Sequence, residues 1–186
     1  MIHKKLIVAF ALIVIAFISV FTANAQITKS VLGVKLGVTT KHDIHRILPD
    51  GSFKSHTYRI MNRTTEYKTY DLHSISFAGI EWYNASFSFD DNGIVISVSF
   101  DSGYLGSSQV NGFYNDIYTA LKSKYKKYEK DSPKSYFSYF TDWSISVKLS
   151  VEQLSCVLSY SLFNQHEYEM EHKLGRLRGP INTDEL

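Results

Sequence analysis

The sequence predicts an α+β fold: an antiparallel sheet packed against two helices, a helix-and-meander unit expected twice, and a C-terminal amphipathic helix. Three observations carry this expectation. Apolar residues alternate with polar ones from Ile94 to Phe100, from Ser144 to Leu149 and from Leu154 to Leu162. That is the period-two pattern of strands with one wet face. Apolar residues instead recur at helical spacing after Thr40 and again from Phe113 to Leu121. The resulting order, helix, meander, helix, meander, suggests an internal duplication with halves at 30–104 and 105–163.

The first 25 residues read as an address. His3, Lys4 and Lys5 precede the unbroken apolar run Leu6 to Ile18, and Ala23-Asn24-Ala25 supplies small residues for signal peptidase. The sequence predicts cleavage after Ala25, export to the periplasm or medium, and no stable membrane anchor afterwards. The apolar run is short of the roughly 20 residues that cross a bilayer. Gln26 stands where a lipoprotein would carry cysteine. Loss of Lys4 and Lys5 takes the 20 basic residues to 18, equal to the 18 acidic ones. A net charge of zero argues against nucleic acid and against a strong field toward anionic lipid.

Residues 26–178 read as a single α+β domain, followed by a polar tail at 179–186. A short strand is expected at Ser30 to Lys35. A helix then runs from Lys41 to Leu48, capped by Thr39 or Thr40 with Asp43 completing the pattern and Pro49-Asp50-Gly51 stopping it. Strands are expected over Ser52 to Ile60 and Tyr67 to Phe77. Glu81 to Phe89 places Tyr83, Ala85, Phe87 and Phe89 on one face. Asp90-Asp91-Asn92-Gly93 then turns the chain into the strand ending at Phe100.

A second helix is expected from Asn111 as cap, with Phe113, Ile117 and Leu121 as its stripe and Ser132-Pro133 as its stop. Lys122, Lys124, Lys126, Lys127 and Lys130 crowd its end, where cations suit the helix dipole and a solvated face is ordinary. Strands follow at Ser135 to Thr141, Trp143 to Ser150 and Leu154 to Phe163. Met170, Leu174 and Leu177 give the last segment, Gln165 to Arg178, its amphipathic spacing.

The stretch Leu32-Gly33-Val34-Lys35-Leu36-Gly37-Val38-Thr39-Thr40-Lys41-His42-Asp43-Ile44 resembles the opening of small secreted proteins of Bacteroides-like bacteria. It is also similar to the small lipoprotein of the outer-membrane barrel-assembly machinery and to the β-lactamase-inhibitor protein. The resemblance implies helices laid on an antiparallel sheet, duplicated in the inhibitor, and a role in binding other proteins without catalytic residues. The chain departs from the lipoprotein in lacking its lipidation cysteine.

Chemical constellations are sparse. The sole cysteine, Cys156, shares a strand face with Leu154 and Leu158 and reads as a small buried hydrophobe. His42 and His45 can share a helix face beside Asp43, but a metal would need a third ligand from elsewhere. The sequence has no Gly-x-Ser-x-Gly elbow and no phosphate-cradling glycine loop. Neither catalytic residues nor a cofactor or metal is predicted. Asn62-Arg63-Thr64 and Asn84-Ala85-Ser86 match the glycosylation triplet, and Thr183 to Leu186 faintly resembles a retention tail.

What stands out is the aromatic load: 13 Tyr, 12 Phe and 2 Trp. Trp82, Tyr136, Phe137, Tyr139, Phe140 and Trp143 are the candidate binding surface. If only one sheet face is covered, some of these rings must be exposed. The function expected is a secreted or periplasmic, non-catalytic binding module with a protein partner. A glycan bound through exposed aromatic strands is the alternative, and an enzyme whose site assembles only in three dimensions is the third reading.

Overall fold

The computed structural model describes residues 26–60, 63–134 and 136–177. The expected signal segment, the polar tail and Asn62 lie outside the described residues. Among those described, no helix is long and apolar enough to cross a membrane.

The expected first strand is a tight hairpin of β1 (Ser30–Val31) and β2 (Val34–Lys35). It turns on Leu32 and Gly33, both at positive φ (52° and 80°), the geometry that suits the twist of paired strands. Helix α1 (Lys41–Ile47) follows. Its cap is Thr40, whose Oγ1 accepts from the Asp43 amide at 3.2 Å while its hydroxyl donates to Asp43 Oδ2 at 2.7 Å. Those bonds, first, and Arg46 nearby hold the Asp43 carboxyl below its ordinary range. Only Ile44 of this helix is buried.

A four-strand meander comes next: β3 (Ser52–Ile60), β4 (Arg63–Phe77), β5 (Ile80–Phe89) and β6 (Val95–Asp101). The β5–β6 turn is where the sequence puts it, with Asp90 Oδ1 accepting from the amides of Asn92 and Ile94. A bulge beside Phe89 brings Val95, not Ile94, into the core.

The long helix α2 (Ser107–Tyr125) begins earlier than the sequence suggests. The Gly106 amide donates to Gln109 Oε1, and the buried stripe is Val110, Tyr114, Ile117, Leu121 and Tyr125. Phe113 sits at its margin. The helix ends when that stripe ends, at Tyr125, and passes through a 3₁₀ turn at Lys126–Tyr128. Pro133 therefore does not stop a helix. It lies in β7 (Glu129–Lys134), an irregularly paired edge strand where a missing amide is tolerated. Three further strands, β8 (Phe137–Thr141), β9 (Ile145–Glu152) and β10 (Ser155–Leu162), lead to α3 (Gln165–Lys173).

All eight long strands join one antiparallel sheet in the order β3-β4-β5-β6-β10-β9-β8-β7. The last strands of the two meanders, β6 and β10, meet at its centre. On one face, Phe87, Val98, Phe100, Leu158, Leu149 and Val147 form a single core with Ile44 of α1 and the stripe of α2. Fully burying each such side chain contributes about 1.5–3 kcal/mol. The second face is polar across its middle. At the β8–β9 end, however, α3 and the residues after it cover it, with Phe137, Tyr139 and Leu177 forming a second small core beside Tyr168. The sheet is thus wet on its second face only in part.

Candidate binding face

Strand register builds the polar face directly. Thr69, Ser88, Ser97, Ser161, Ser146 and Thr141 stand opposite one another on β4, β5, β6, β10, β9 and β8. The adjoining row is Asp71, Ser86, Ser99, Ser159, Lys148 and Tyr139, and the third starts His73, Asn84, Asp101, Val157. Neighbours along such a row are about 4.8 Å apart. The result is a floor of short hydroxyl side chains, knitted by Ser99 to Ser159 at 2.8 Å and by Asn84 Nδ2 donating to Ser86 Oγ at 2.8 Å.

Two acceptors on this floor have no partner among the described residues: Asp71 Oδ1 and Asn84 Oδ1. Asp71 is only 7% exposed. A buried oxygen left without a donor costs about 1–3 kcal/mol. By contrast, Asp101 accepts from the Gly103 amide at 2.7 Å and from the Ser155 hydroxyl. A cleft of about 390 Å³ opens beside it, lined by Tyr83, Gly103, Tyr104, Glu152, Gln153, Ser155 and Val157 as well. Tyr83 and Tyr104 are 64% and 79% exposed, the two most exposed large apolar side chains among the described residues.

The covered end is closed by pairing. Tyr139 Oη and Ser146 Oγ are 2.6 Å apart, and Lys148 reaches Glu167 at 3.5 Å and Glu171 at 3.8 Å on α3. A second cleft, about 550 Å³, lies at its margin between Tyr136, Glu152 and Arg176.

The six aromatic residues read from the sequence do not form one surface. Trp82, Phe137, Tyr139 and Phe140 are buried, so of the six only Tyr136 and Trp143 present exposed rings. Trp82 packs on Phe100 and Phe113, at ring separations of 5.5 and 5.7 Å. The left-handed Ser74 (φ 53°) in the paired stretch of β4 breaks the alternation there, and Tyr83 points out instead. Phe140 is covered on the α2 side and Phe137 and Tyr139 on the α3 side, so β8 is buried at every residue. Tyr136 and Trp143 are exposed but lie beyond opposite ends of β8.

The remaining candidates are structural. His45 Nδ1 lies 2.9 Å from Tyr70 Oη, itself donating to the Leu48 carbonyl, and this ties α1 to the sheet. Among the described residues, no group of three or more His, Cys, Asp or Glu could hold a metal. Burial first, then the Asp101 charge, pushes the Cys156 thiol up to about 12. A thiol that resists ionisation this strongly is a poor nucleophile.

No family model, curated protein or solved structure matches the chain. The reading of its function therefore rests on its own residues.

Sequence reasoning missed Tyr83, Tyr104 and Asp71 as members of the face. The serine rows did leave a trace, as the polar half of the alternation in Ser86/Ser88, Ser97/Ser99 and Ser159/Ser161.

Proposed function

We propose that the chain is an exported, non-catalytic binding module that takes a protein partner on the open half of its polar sheet face. The export rests on the sequence of residues 1–25. The binding rests on one observation above all: the cleft beside Asp101 is bordered by Tyr83 and Tyr104, the two most exposed large apolar side chains among the described residues. The two rings supply the aromatic anchors that dominate protein interfaces. Asp71, Asp101 and Glu152 stand on this side against Lys54 and Lys148, and Lys148 is already paired with Glu167 and Glu171, so the complementary surface is rich in Lys, Arg or amide donors. The twice-used order of a helix and four strands, with the last strands paired at the centre, supports an origin by duplication.

A glycan is the second reading, because Tyr83 and Tyr104 border a cleft that also contains Asp101, the pairing of ring and carboxylate that suits a sugar. The experiment is a crosslinking pull-down from the extracytoplasmic fraction, comparing the natural chain with a Tyr83→Ala/Tyr104→Ala variant and running a glycan array in parallel. A protein captured by the natural chain and lost with the variant supports the first reading. Array retention alone supports the second, and a chain that captures no protein and is retained by no glycan overturns both.

A further inference from the structure

The balanced net charge conceals a segregated one. Residues 122–130 hold five lysines against one acid, Glu129, and the next two charges, Asp131 and Lys134, cancel. Since the chain from Gln26 onward sums to zero, everything outside this end carries the compensating negative charge.

Among the described residues, only Lys122 of the five has an ion pair, with Glu129 at 3.7 Å, and it also donates to Tyr118 Oη at 2.9 Å. The other four, Lys124, Lys126, Lys127 and Lys130, have no ion pair among the described residues. Three of these four lie over aromatic rings: Lys124 on Tyr125, Lys127 on Tyr128 and Lys130 on Trp143, at 5.1, 4.5 and 5.0 Å. Ring faces hold ammonium groups in place without cancelling their charge.

Lys130 joins this basic end to the most exposed indole of the chain. Of the two tryptophans, Trp82 is buried and Trp143 is 53% exposed. Trp143 sits at φ 66° in the β8–β9 turn, a conformation a glycine would adopt more easily. The turn is held rigid by Asp142, whose Oδ1 accepts from the Ser144 hydroxyl and from the Ser144 and Ile145 amides at 2.7–2.9 Å. Phe163 and Tyr168 pack at steep angles against the indole, 5.1 and 5.4 Å away. With Lys130 over one face and two rings against it, the indole offers a rim rather than a free stacking platform. That disfavours a nucleobase or sugar ring and suits the headgroup region of a bilayer, where an amphipathic indole needs no open face.

We propose that this basic and aromatic end docks the protein reversibly on an anionic lipid surface, with Trp143 entering the headgroup layer. Each lysine near an anionic leaflet contributes roughly a fivefold factor in affinity. Such a contact is peripheral, and it leaves the open serine face free to meet another molecule.

Vesicle co-sedimentation of the processed chain tests the proposal, using pure phosphatidylcholine and phosphatidylcholine mixed with phosphatidylglycerol. Binding is expected on the anionic vesicles only, weakened by high salt, with a blue shift of tryptophan emission that comes from Trp143 because Trp82 is already dry. The quadruple variant Lys124→Gln/Lys126→Gln/Lys127→Gln/Lys130→Gln should lose at least tenfold in affinity. Trp143→Phe should abolish the shift while leaving circular dichroism unchanged. The proposal is overturned by the absence of binding to anionic vesicles at low salt, or by binding that the lysine variant does not weaken. It is also overturned if a short oligonucleotide binds tightly while anionic vesicles produce no emission shift.

Discussion

The polar face of the sheet exists in two versions. Over β8 and β9 it carries Phe137, Tyr139, Ser146 and Lys148 and is sealed by α3 and Leu177. Over β4, β5, β6 and β10 it carries half-buried serines and Asn84 beside the buried Thr69 and Asp71. The backbone is the same antiparallel ladder in both. Side-chain size decides the difference: two large rings make a surface that rewards a covering helix, whereas a hydroxyl floor offers it little apolar area.

Substitutions separate the two regions most sharply. Tyr139→Ala, in the covered region, should cost about 3–5 kcal/mol in urea unfolding. Ser99→Ala in the open region, which removes the bond to Ser159, should cost no more than about 1.5 kcal/mol. Equal losses at the two sites would erase the distinction. Leu177→Ala should cost about 2–4 kcal/mol and raise amide exchange in α3 and β8 while leaving β4 and β5 protected.

The alkaline limb of the stability curve should also belong to the covered and core side. Burial pushes the Tyr139 phenol up to about 12 and raises Tyr160 as well, while Cys156 is raised to about 12. Because each resists ionisation more in the folded than in the unfolded chain, the stability they add is complete below their ordinary values of 9.0 for Cys156 and 10.0 for the tyrosines. It is lost as pH rises toward the folded values, at roughly 1.4 kcal/mol per pH unit and group. Urea midpoints from pH 8 to 11 should fall accordingly, and Cys156→Ala should delay the onset (roughly the ordinary cysteine range). A flat profile would contradict the burial of these groups.

The smallest effect has the opposite sign. Asp71→Ala removes a buried oxygen that has no donor, so it should raise stability by up to about 1 kcal/mol. A clear loss would mean that Asp71 serves folding rather than binding.

Local pattern made part of this legible. The Thr40 cap, the Asn92-Gly93 turn and the alternation of β9 and β10 follow from side chains a few residues apart, and the sequence places them closely. What it could not place depends on distant partners. Alternation says that Phe137 and Tyr139 share a face, but not that α3 arrives to cover it. It assigned Tyr83 inward because nothing near Tyr83 reveals the left-handed Ser74 across the ladder. The pairing of β6 with β10, which makes one sheet of two meanders and lines up the serine rows, joins residues about 60 positions apart, as in the Ser99–Ser159 bond.

The most direct test places a photoreactive amino acid at Ser99 on the open floor or at Ser150 beneath the covered end, followed by crosslinking in cells. The account predicts one specific protein adduct from position 99, lost with Tyr83→Ala/Tyr104→Ala, and none from position 150. An adduct that forms equally from both positions, or from position 150 alone, would contradict it.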